Sequence, residues 1–453
     1  MKYLILFALL VTISVAESSP FISDVKCRQR RHGYAVTYRL SGESAVVTAD
    51  FCLNGELLPA NSQTNVSGDV NALVHVGNAS FSWMPPASFE PPESPAEITV
   101  SIRAWSTTCP PAYIVVDLRN PTAGAKYYAS VDRLPAPISA SCWRTDFLVM
   151  RKIPAACIEW RAGLIGASNS FEARQRFVTL SRDYYLGVFP VTIGQYRNMS
   201  EQAGAENRSD TYLTDFGIET NLEWPKGQLS YEYLRGRRPI GAGGKKPGAI
   251  FWPASGHESI DGTADLAKFR ATYGIPFDLP SEAEWEFACR GGIETNTVVG
   301  LVGATLDDVA WYADNSAVSV TTNGGQAVTL CLPHRVGEKQ PNAYGLYDML
   351  GNIYEFCLDW YDESPDVQDR VLDPSGPIQN PVTEGSGVSD TGFDNPYRVR
   401  RGGSFAASAS VCRPSAREGH VFTWDAGGSG NGLTSMAKYQ NGLRLWASAE
   451  AIK

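Results

Sequence analysis

Helical periodicity is scarce in this chain, and that scarcity limits the folds open to it more than any other feature. Apolar residues recur at helical spacing mainly in two short stretches, residues 265–270 and 281–288. The second stretch begins at Ser281, and Glu284 three residues later completes the spacing of a capping box, so Trp285 should face the core. With 42 Gly, 28 Pro, 11 Trp and 20 Tyr, the chain indicates a turn-rich, aromatic fold rather than a helical bundle.

The length and the charge narrow the class of protein further. A chain of 453 residues is long enough for two or three domains. The 48 Asp and Glu residues outnumber the 39 Lys and Arg residues, which gives a formal net charge of −9. Because phosphate contacts need clustered Lys and Arg, this balance argues against general nucleic-acid binding.

The first sixteen residues have the pattern of a secretory signal peptide. A short basic start precedes the apolar run Leu4–Val11, and Ser14-Val15-Ala16 supplies the small residues of a cleavage site. A membrane anchor or a buried strand is the alternative, but the run is too short to span a bilayer and polar residues follow at once. We therefore expect cleavage after Ala16 and a secreted or periplasmic protein without a membrane span.

Residues 17–108 have a strand pattern. Apolar and β-branched residues alternate or cluster in three stretches, Tyr34–Leu40, Ala45–Phe51 and Ile98–Trp105. The second of them runs into Asn54-Gly55, a strong hairpin signal. This predicts a small all-β sandwich of immunoglobulin or fibronectin type III character, serving for recognition or as a spacer. Residues 109–152 are expected to connect it to the rest of the chain.

Familiar catalytic signatures are missing from the sequence. It has no phosphate-binding Gly-x-x-x-x-Gly-Lys-Ser/Thr loop, no Gly-x-Ser-x-Gly elbow and no His-Glu-x-x-His pair. The histidines are scattered without metal-ligand spacing, and each is interpreted as structural or exposed: His32, His75, His257, His334 and His420.

The informative motifs lie in the last two thirds of the chain. They are Leu279–Gly292, Asn342–Phe356, Arg401–Phe405 and Asn441–Leu445, preceded by Tyr185–Tyr196. Their order and spacing closely resemble the formylglycine-generating enzyme, or sulfatase-modifying factor, family. The resemblance assigns residues 153–448 to one such domain. It implies an α+β fold related to C-type lectin domains and poor in regular secondary structure.

The resemblance also implies a calcium site in the second motif. Asp348 and Glu355 would supply carboxylate oxygens, and Gly351 and Ile353 would supply backbone carbonyls. Ca²⁺ favours several oxygen ligands from a tight loop, and a glycine permits the sharp turn. The alternative is that the two carboxylates only cap turns.

The family's copper site is where this sequence departs from the pattern. Active members oxidise a substrate cysteine to formylglycine with a copper ion held by two thiolates, and soft Cu(I) favours such a pair. Cys412 occupies the second cysteine position, whereas Ala407 occupies the first, and a methyl group cannot ligate a metal. Ser404 matches an active-site serine, and Gln440 stands where active members carry an asparagine. Copper is therefore not expected, and Cys412 and Ser404 would be catalytic only in an active enzyme.

Three functions remain open from the sequence. The first is a secreted, non-oxidase member that binds a protein, peptide or glycan or serves a structural role. The second is a copper-dependent formylglycine-generating oxidase using Cys412 alone, or a related oxidase with a rebuilt site. The third, carbohydrate recognition, depends on the fold analogy and on four tryptophans, Trp252, Trp311, Trp360 and Trp424. If Cys412 is the odd one of nine cysteines, eight are left for disulfides in an oxidising compartment.

Overall fold

The chain divides into two compact units, residues 1–110 and residues 111–453, which are described separately. The computed structural model describes residues 19–90, 97–164, 175–206, 220–236, 260–292, 303–321, 325–361, 370–372, 397–421 and 439–450. The expected signal peptide, residues 1–16, lies outside these ranges, as do Trp252, His257 and Trp424.

The described part of the first unit is built from strands. They are β1 (Phe21–Arg30), β2 (Gly33–Ser41), β3 (Ala45–Leu53), β4 (Glu56–Leu57), β5 (Val66–Gly68), β6 (Ala72–Val74), β7 (Gly77–Trp83) and β8 (Ile98–Ser106). One sheet has the order β1-β2-β7-β5, and the other has the order β4-β3-β6 with β8 paired to β3. The three stretches with strand patterns in the sequence are thus confirmed as β2, β3 and β8.

The inner faces of these two sheets share one hydrophobic core. Val36 on β2, Phe51 on β3 and Trp83 on β7 are each completely buried in it. The rings of Phe51 and Trp83 stack with their centroids 4.3 Å apart. Alternate residues of β2 point into this core, which is why its apolar residues recur with a period of two.

The Asn54-Gly55 hairpin forms as the sequence predicts. Both residues have positive φ angles, 53° for Asn54 and 83° for Gly55, which is the geometry of a type I′ turn. The turn joins β3 to β4, where Cys52 pairs with Leu57.

The second unit is an α+β domain made mostly of short strands. Those described are β9 (Tyr113–Asp117), β10 (Ala125–Tyr128), β11 (Phe147–Ile153), β12 (Ile158–Ala162), β13 (Arg176–Leu180), β14 (Tyr184–Gly187), β15 (Ala310–Trp311), β16 (Ala317–Thr321), β17 (Ala327–Cys331), β18 (Leu350–Gly351), β19 (Tyr354–Trp360), β20 (Arg370–Leu372), β21 (Tyr397–Arg401), β22 (Arg417–Val421), β23 (Asn441–Gly442) and β24 (Trp446–Ser448). The largest sheet has the order β10-β9-β11-β14-β24, and a second one has the order β22-β21-β19-β23.

The stretch 109–152, expected as a connection, contributes three strands to the largest sheet. β11 pairs with β9 on one side and with β14 on the other. β9 pairs with β10 and β11 inside this stretch, and the pairing of β11 with β14 joins all three strands to the rest of the domain. Tyr113–Val116 are buried there, as a central strand requires.

The described helices are short. They are α1 (Ile193–Ala203), α2 (Tyr231–Arg235), α3 (Asp265–Tyr273), α4 (Glu282–Cys289) and α5 (Leu306–Val309). The two helical stretches of the sequence are confirmed as α3 and α4. In the parts of the chain that the structure covers, no helix combines the length and the apolar character needed to cross a bilayer.

Candidate functional site

The segment that follows β21 forms the centre of the candidate site. Gly402 and Gly403 have φ angles of 93° and 79°, which favour glycine. A Cβ atom on Gly403 would lie 2.5 Å from the sulfur of Cys412. The glycines therefore turn the chain sharply and leave room for Cys412 to pack behind the turn.

Ala407 and Cys412 lie in the same hydrophobic core cluster. Ala407 is 8% exposed and Cys412 is 2% exposed, so both positions are closed to solvent. Burial raises the pKa of the Cys412 thiol to about 12, against a smaller lowering by the backbone N–H groups of Ser404 and Gly351. The thiol is consequently neutral at pH 7, and its neighbour at the other cysteine position is a methyl group.

Ser404 and Gln440, the two other positions taken from the family resemblance, are in direct contact. The Ser404 hydroxyl donates to Oε1 of Gln440 over 2.5 Å. Ser404 is completely buried, and its Oγ also accepts a long hydrogen bond from the Ala406 N–H. The structure thus brings Ser404, Ala407, Cys412 and Gln440 to one region.

A cleft of about 480 Å³ opens beside this segment. Its lining is formed by Thr220, Asn221, Trp224, Val318, Val320, Leu332, Pro333 and His334. Leu332 packs with Phe405 in a small buried cluster, against which Trp224, Ala406 and Tyr439 also pack. The wall of the cleft therefore packs against the segment that carries Ser404 and against Tyr439, the residue before Gln440.

His334 links the cleft to the loop expected to bind calcium. Its ring stacks on Trp311 with the centroids 3.7 Å apart, and its Nε2 lies 3.2 Å from the Ser316 carbonyl oxygen. Its backbone N–H and carbonyl both bond to the Asn352 side chain. Burial lowers the pKa of His334, which favours the neutral ring. The sequence predicts a structural or exposed role for this histidine, and its neighbours here are not near it in the chain.

The expected calcium residues are held by protein contacts. Asp348 is buried, and its carboxylate accepts from the Gly337 N–H over 2.7 Å and from the Asn352 amide over 3.3 Å. The Gly351 carbonyl accepts the Ile353 N–H over 2.7 Å. Within the described residues, no three His, Cys, Asp or Glu side chains converge as a metal site.

Glu355 does not fit the expected calcium site in this geometry. Arg444 forms an ion pair with its carboxylate over 2.8 Å, and the Trp285 indole donates to Oε2 over 2.7 Å. All three side chains are essentially buried. A carboxylate that is already paired with a guanidinium leaves little negative charge for Ca²⁺. Calcium binding at this turn therefore stays a prediction, with Asp348 as its remaining carboxylate.

A second buried ion network joins α4 to the strands below the site. Arg401 contacts both Glu282 and Glu286, with distances of 3.0 and 2.5 Å. Arg417 makes a bidentate contact with Glu282, and Arg290, directly after the end of α4, pairs with Glu286. In the sequence, the only signal for this network is the repeated Glu of the first motif together with the Arg of the third, which lies far along the chain.

The cysteines do not form the disulfides expected from the sequence. All nine are described and all nine are free thiols. Cys289, Cys357 and Cys412 are buried in one hydrophobic core, where they pack as small apolar side chains, whereas Cys109 and Cys157 are exposed. The expectation of eight paired cysteines is therefore not supported.

Comparison with known proteins places this architecture in a family. The sulfatase-modifying factor enzyme 1-like domain matches residues 158–427, more than half of the chain. The chain therefore belongs to the sulfatase-modifying factor family. The match begins close to the expected start of the domain and includes the segment with Ala407 and Cys412.

Individual relatives share shorter parts of the chain. The formylglycine-generating enzyme of Thermomonospora curvata is 34% identical over 143 residues, which is 30% of this chain and 40% of that enzyme. The serine/threonine-protein kinase pkn1 of Chlamydia pneumoniae is 29% identical over 224 residues, 49% of this chain and 28% of the kinase. The chain thus spans well under half of each of these relatives.

A solved structure, the Treponema denticola variable protein 1, is 23% identical and aligns with a TM-score of 0.41 over 67% of this chain and 95% of that protein.

Proposed function

We propose that this chain is a secreted binding member of the sulfatase-modifying factor family that does not carry out the copper-dependent oxidation. The observation that carries the proposal is the pair Ala407 and Cys412. One position offers a methyl group and the other a buried thiol with a pKa raised to about 12. Secretion is inferred from the pattern of residues 1–16.

The side chains available as metal ligands explain why a copper site is unfavourable in the segment with Ala407 and Cys412. A two-thiolate Cu(I) site needs two sulfurs that lose their protons, and Cys412 is the one sulfur that this segment provides. Deprotonation of that thiol is opposed by burial in an apolar core. Because a fold alone does not grant an activity, the family likeness is insufficient to assign the oxidase reaction.

The cleft beside Ser404 supports a binding role. Its lining combines apolar side chains such as Val318 and Leu332 with the amide of Asn221 and the ring of Trp224. Among the described residues that line it, His334 is the only ionisable one, and burial lowers its pKa, so this lining suits an uncharged ligand. The apolar walls favour a peptide with an apolar side chain over a glycan, since pockets of this kind bind through buried apolar surface.

The experiment compares the wild-type chain with Ala407→Cys and Cys412→Ser. Each purified protein is incubated with copper and a cysteine-containing sulfatase peptide, and the peptide is examined by mass spectrometry for the aldehyde. We expect no aldehyde from the wild-type chain or Cys412→Ser. Copper retained after gel filtration is measured in parallel, and only Ala407→Cys should retain it.

Copper-dependent aldehyde formation by the wild-type chain that Cys412→Ser abolishes would overturn the proposal. Aldehyde formation that persists in Cys412→Ser would point to a rebuilt site and would overturn it as well. A wild-type chain that is inactive and copper-free supports it.

A further inference from the structure

Charge is unevenly distributed within the first unit. Five of its seven Lys and Arg residues fall between residues 26 and 39, and residues 42–102 contain none. That second stretch carries seven Asp and Glu residues. A chain with a net charge of −9 therefore has a strongly basic hairpin, β1–β2, near the start of its described part.

The strand register places four of these cations on one face of the sheet. Lys26 lies opposite Thr37, Arg28 opposite Ala35, and Arg39 opposite Ser23. The intervening residues Cys27, Val36 and Tyr38 face the core, so their neighbours point away from it. Arg30 follows in the same alternation, which makes the outer face of β1 a row of three cations.

The four cations of this face have no carboxylate partner among the described residues. Lys26, Arg28, Arg30 and Arg39 are all exposed, and none of them forms an ion pair in the structure. Asp24 is the only acid on the hairpin, and it sits in the bulge between Ser23 and Lys26 with a contact to the Ser23 hydroxyl. The positive charge of the face is thus left for an external partner.

The remainder of the face is polar and rich in hydrogen-bonding groups. Asn78, Ser80 and Ser82 on β7 lie opposite Arg39, Thr37 and Ala35. Ser67 on β5 lies beside Ser82, and the two hydroxyls are 3.0 Å apart. One aromatic ring, Phe21, is 56% exposed at the start of β1.

We propose that this outer face, Lys26, Arg28, Arg30 and Arg39 with the neighbouring hydroxyl groups, binds a linear anionic polysaccharide. Successive cations on β1 are about 6.7 Å apart, because every second residue of a strand points to the same side. A straight row of regularly spaced cations suits a chain with regularly spaced sulfates or carboxylates. Arg presents planar pairs of N–H donors that match both groups.

The other polyanions fit this face less well. A membrane-docking surface usually combines basic residues with several large apolar side chains that enter the lipid, and here the exposed ones on β1 are Phe21 and the smaller Val25, beside Ser, Thr and Asn. Nucleic-acid binding usually adds several aromatic platforms or an element that enters a groove, whereas this sheet face carries a single exposed ring, Phe21. Hydroxyl and amide groups beside the cations are the partners that sugar hydroxyls need.

The test uses the full chain and dextran sulfate as the probe, with neutral dextran, phosphatidylserine vesicles and duplex DNA for comparison. We expect salt-dependent binding to dextran sulfate and none to neutral dextran. The variant Lys26→Gln/Arg28→Gln/Arg30→Gln should bind roughly tenfold more weakly and with a smaller salt dependence, since each exposed ion contact contributes modestly.

The matched control removes the same charge elsewhere. Arg103, Arg119 and Arg182 are exposed residues outside the basic face, and their triple replacement by Gln should leave dextran sulfate binding nearly unchanged. Equal loss in both variants would show a general charge effect and overturn the proposal. Tighter binding to vesicles or DNA would assign the face to that partner instead. Self-association that the hairpin variant abolishes would assign it to a second copy of this chain. Thermal melting of both variants checks that they fold.

Discussion

At the scale of single residues, Glu355 illustrates how a motif residue can have a different role from the one its position implies. The sequence places it among oxygen ligands, whereas the structure pairs it with Arg444 in the core. Arg444 also donates to the carbonyl oxygens of Gly187, Val188 and Tyr347, so its charge joins separate parts of the domain. No local pattern could reveal this pair, because its members lie 89 residues apart.

We expect Glu355→Gln to destabilise the second unit strongly. The neutral amide would leave the Arg444 guanidinium buried without a counter-charge, which costs about 3–5 kcal/mol. Denaturant unfolding at pH 7 measures the loss. The control is Asp146→Asn, which removes the exposed Arg119–Asp146 contact and should cost about 1 kcal/mol or less. Equal stability of Glu355→Gln and the wild-type chain would show that the pair is not structural.

At the scale of secondary structure elements, local sequence signals predicted where a helix or strand forms better than they predicted which residues surround it. The capping box of α4 forms as the sequence indicates, since the Ser281 hydroxyl accepts from the Glu284 N–H and the Glu284 carboxylate accepts from the Ser281 N–H. Trp285 is completely buried, also as predicted. The sequence did not indicate that every residue of α4 would be buried, including three glutamates, because their arginine and tryptophan partners come from distant strands.

The same limit applies to the candidate site. The four family-matched positions lie together in the structure, whereas no sequence motif indicates the cleft, because β16, β17 and the Trp224 region meet only in three dimensions. The place of β9–β11 in the domain depends likewise on contacts outside residues 109–152, namely the pairing of β11 with β14 and of β14 with β24. Contacts between residues far apart in the chain cannot be predicted from local patterns in a single sequence.

We expect Ser281→Ala to lower stability by about 1 kcal/mol, within a range of roughly 0.5–2 kcal/mol, by removing the N-cap acceptor of α4. Ser281→Thr keeps the hydroxyl and serves as the control. Thermal unfolding monitored by circular dichroism compares the three proteins. A loss in Ser281→Thr as large as in Ser281→Ala would attribute the effect to packing instead of capping.

At the scale of the whole molecule, the second unit buries some carboxyl groups with raised pKa values and others with lowered ones. The two kinds change its stability in opposite directions as the pH changes. Burial and the neighbouring Glu282 raise the pKa of Asp359 to about 7, in spite of a hydrogen bond from the Glu282 N–H and the nearby Arg176 and Arg417. For Glu282 and Glu286, burial acts against several arginines, and the arginines prevail and lower both pKa values.

These shifts predict a stability maximum in mildly acidic solution. A carboxyl with a raised native pKa contributes stability below its unfolded pKa and loses that contribution as pH rises toward 7. Carboxyls with lowered pKa values lose theirs as pH falls below about 4.5. The melting temperature should therefore be higher near pH 5.5 than at pH 8. Asp359→Asn, which mimics the protonated side chain, should flatten the decline; an unchanged decline would contradict the assignment.

The order of strands in the largest sheet has a consequence for how the chain reaches its fold. β9 and β24 lie in the same sheet although more than 300 residues separate them, and β14 pairs directly with β24. During synthesis the ribosome must release nearly the whole domain before Trp446–Ser448 can dock and complete that sheet. Until then the edge of β14 stays open, and pairing across so long a sequence separation favours slow folding.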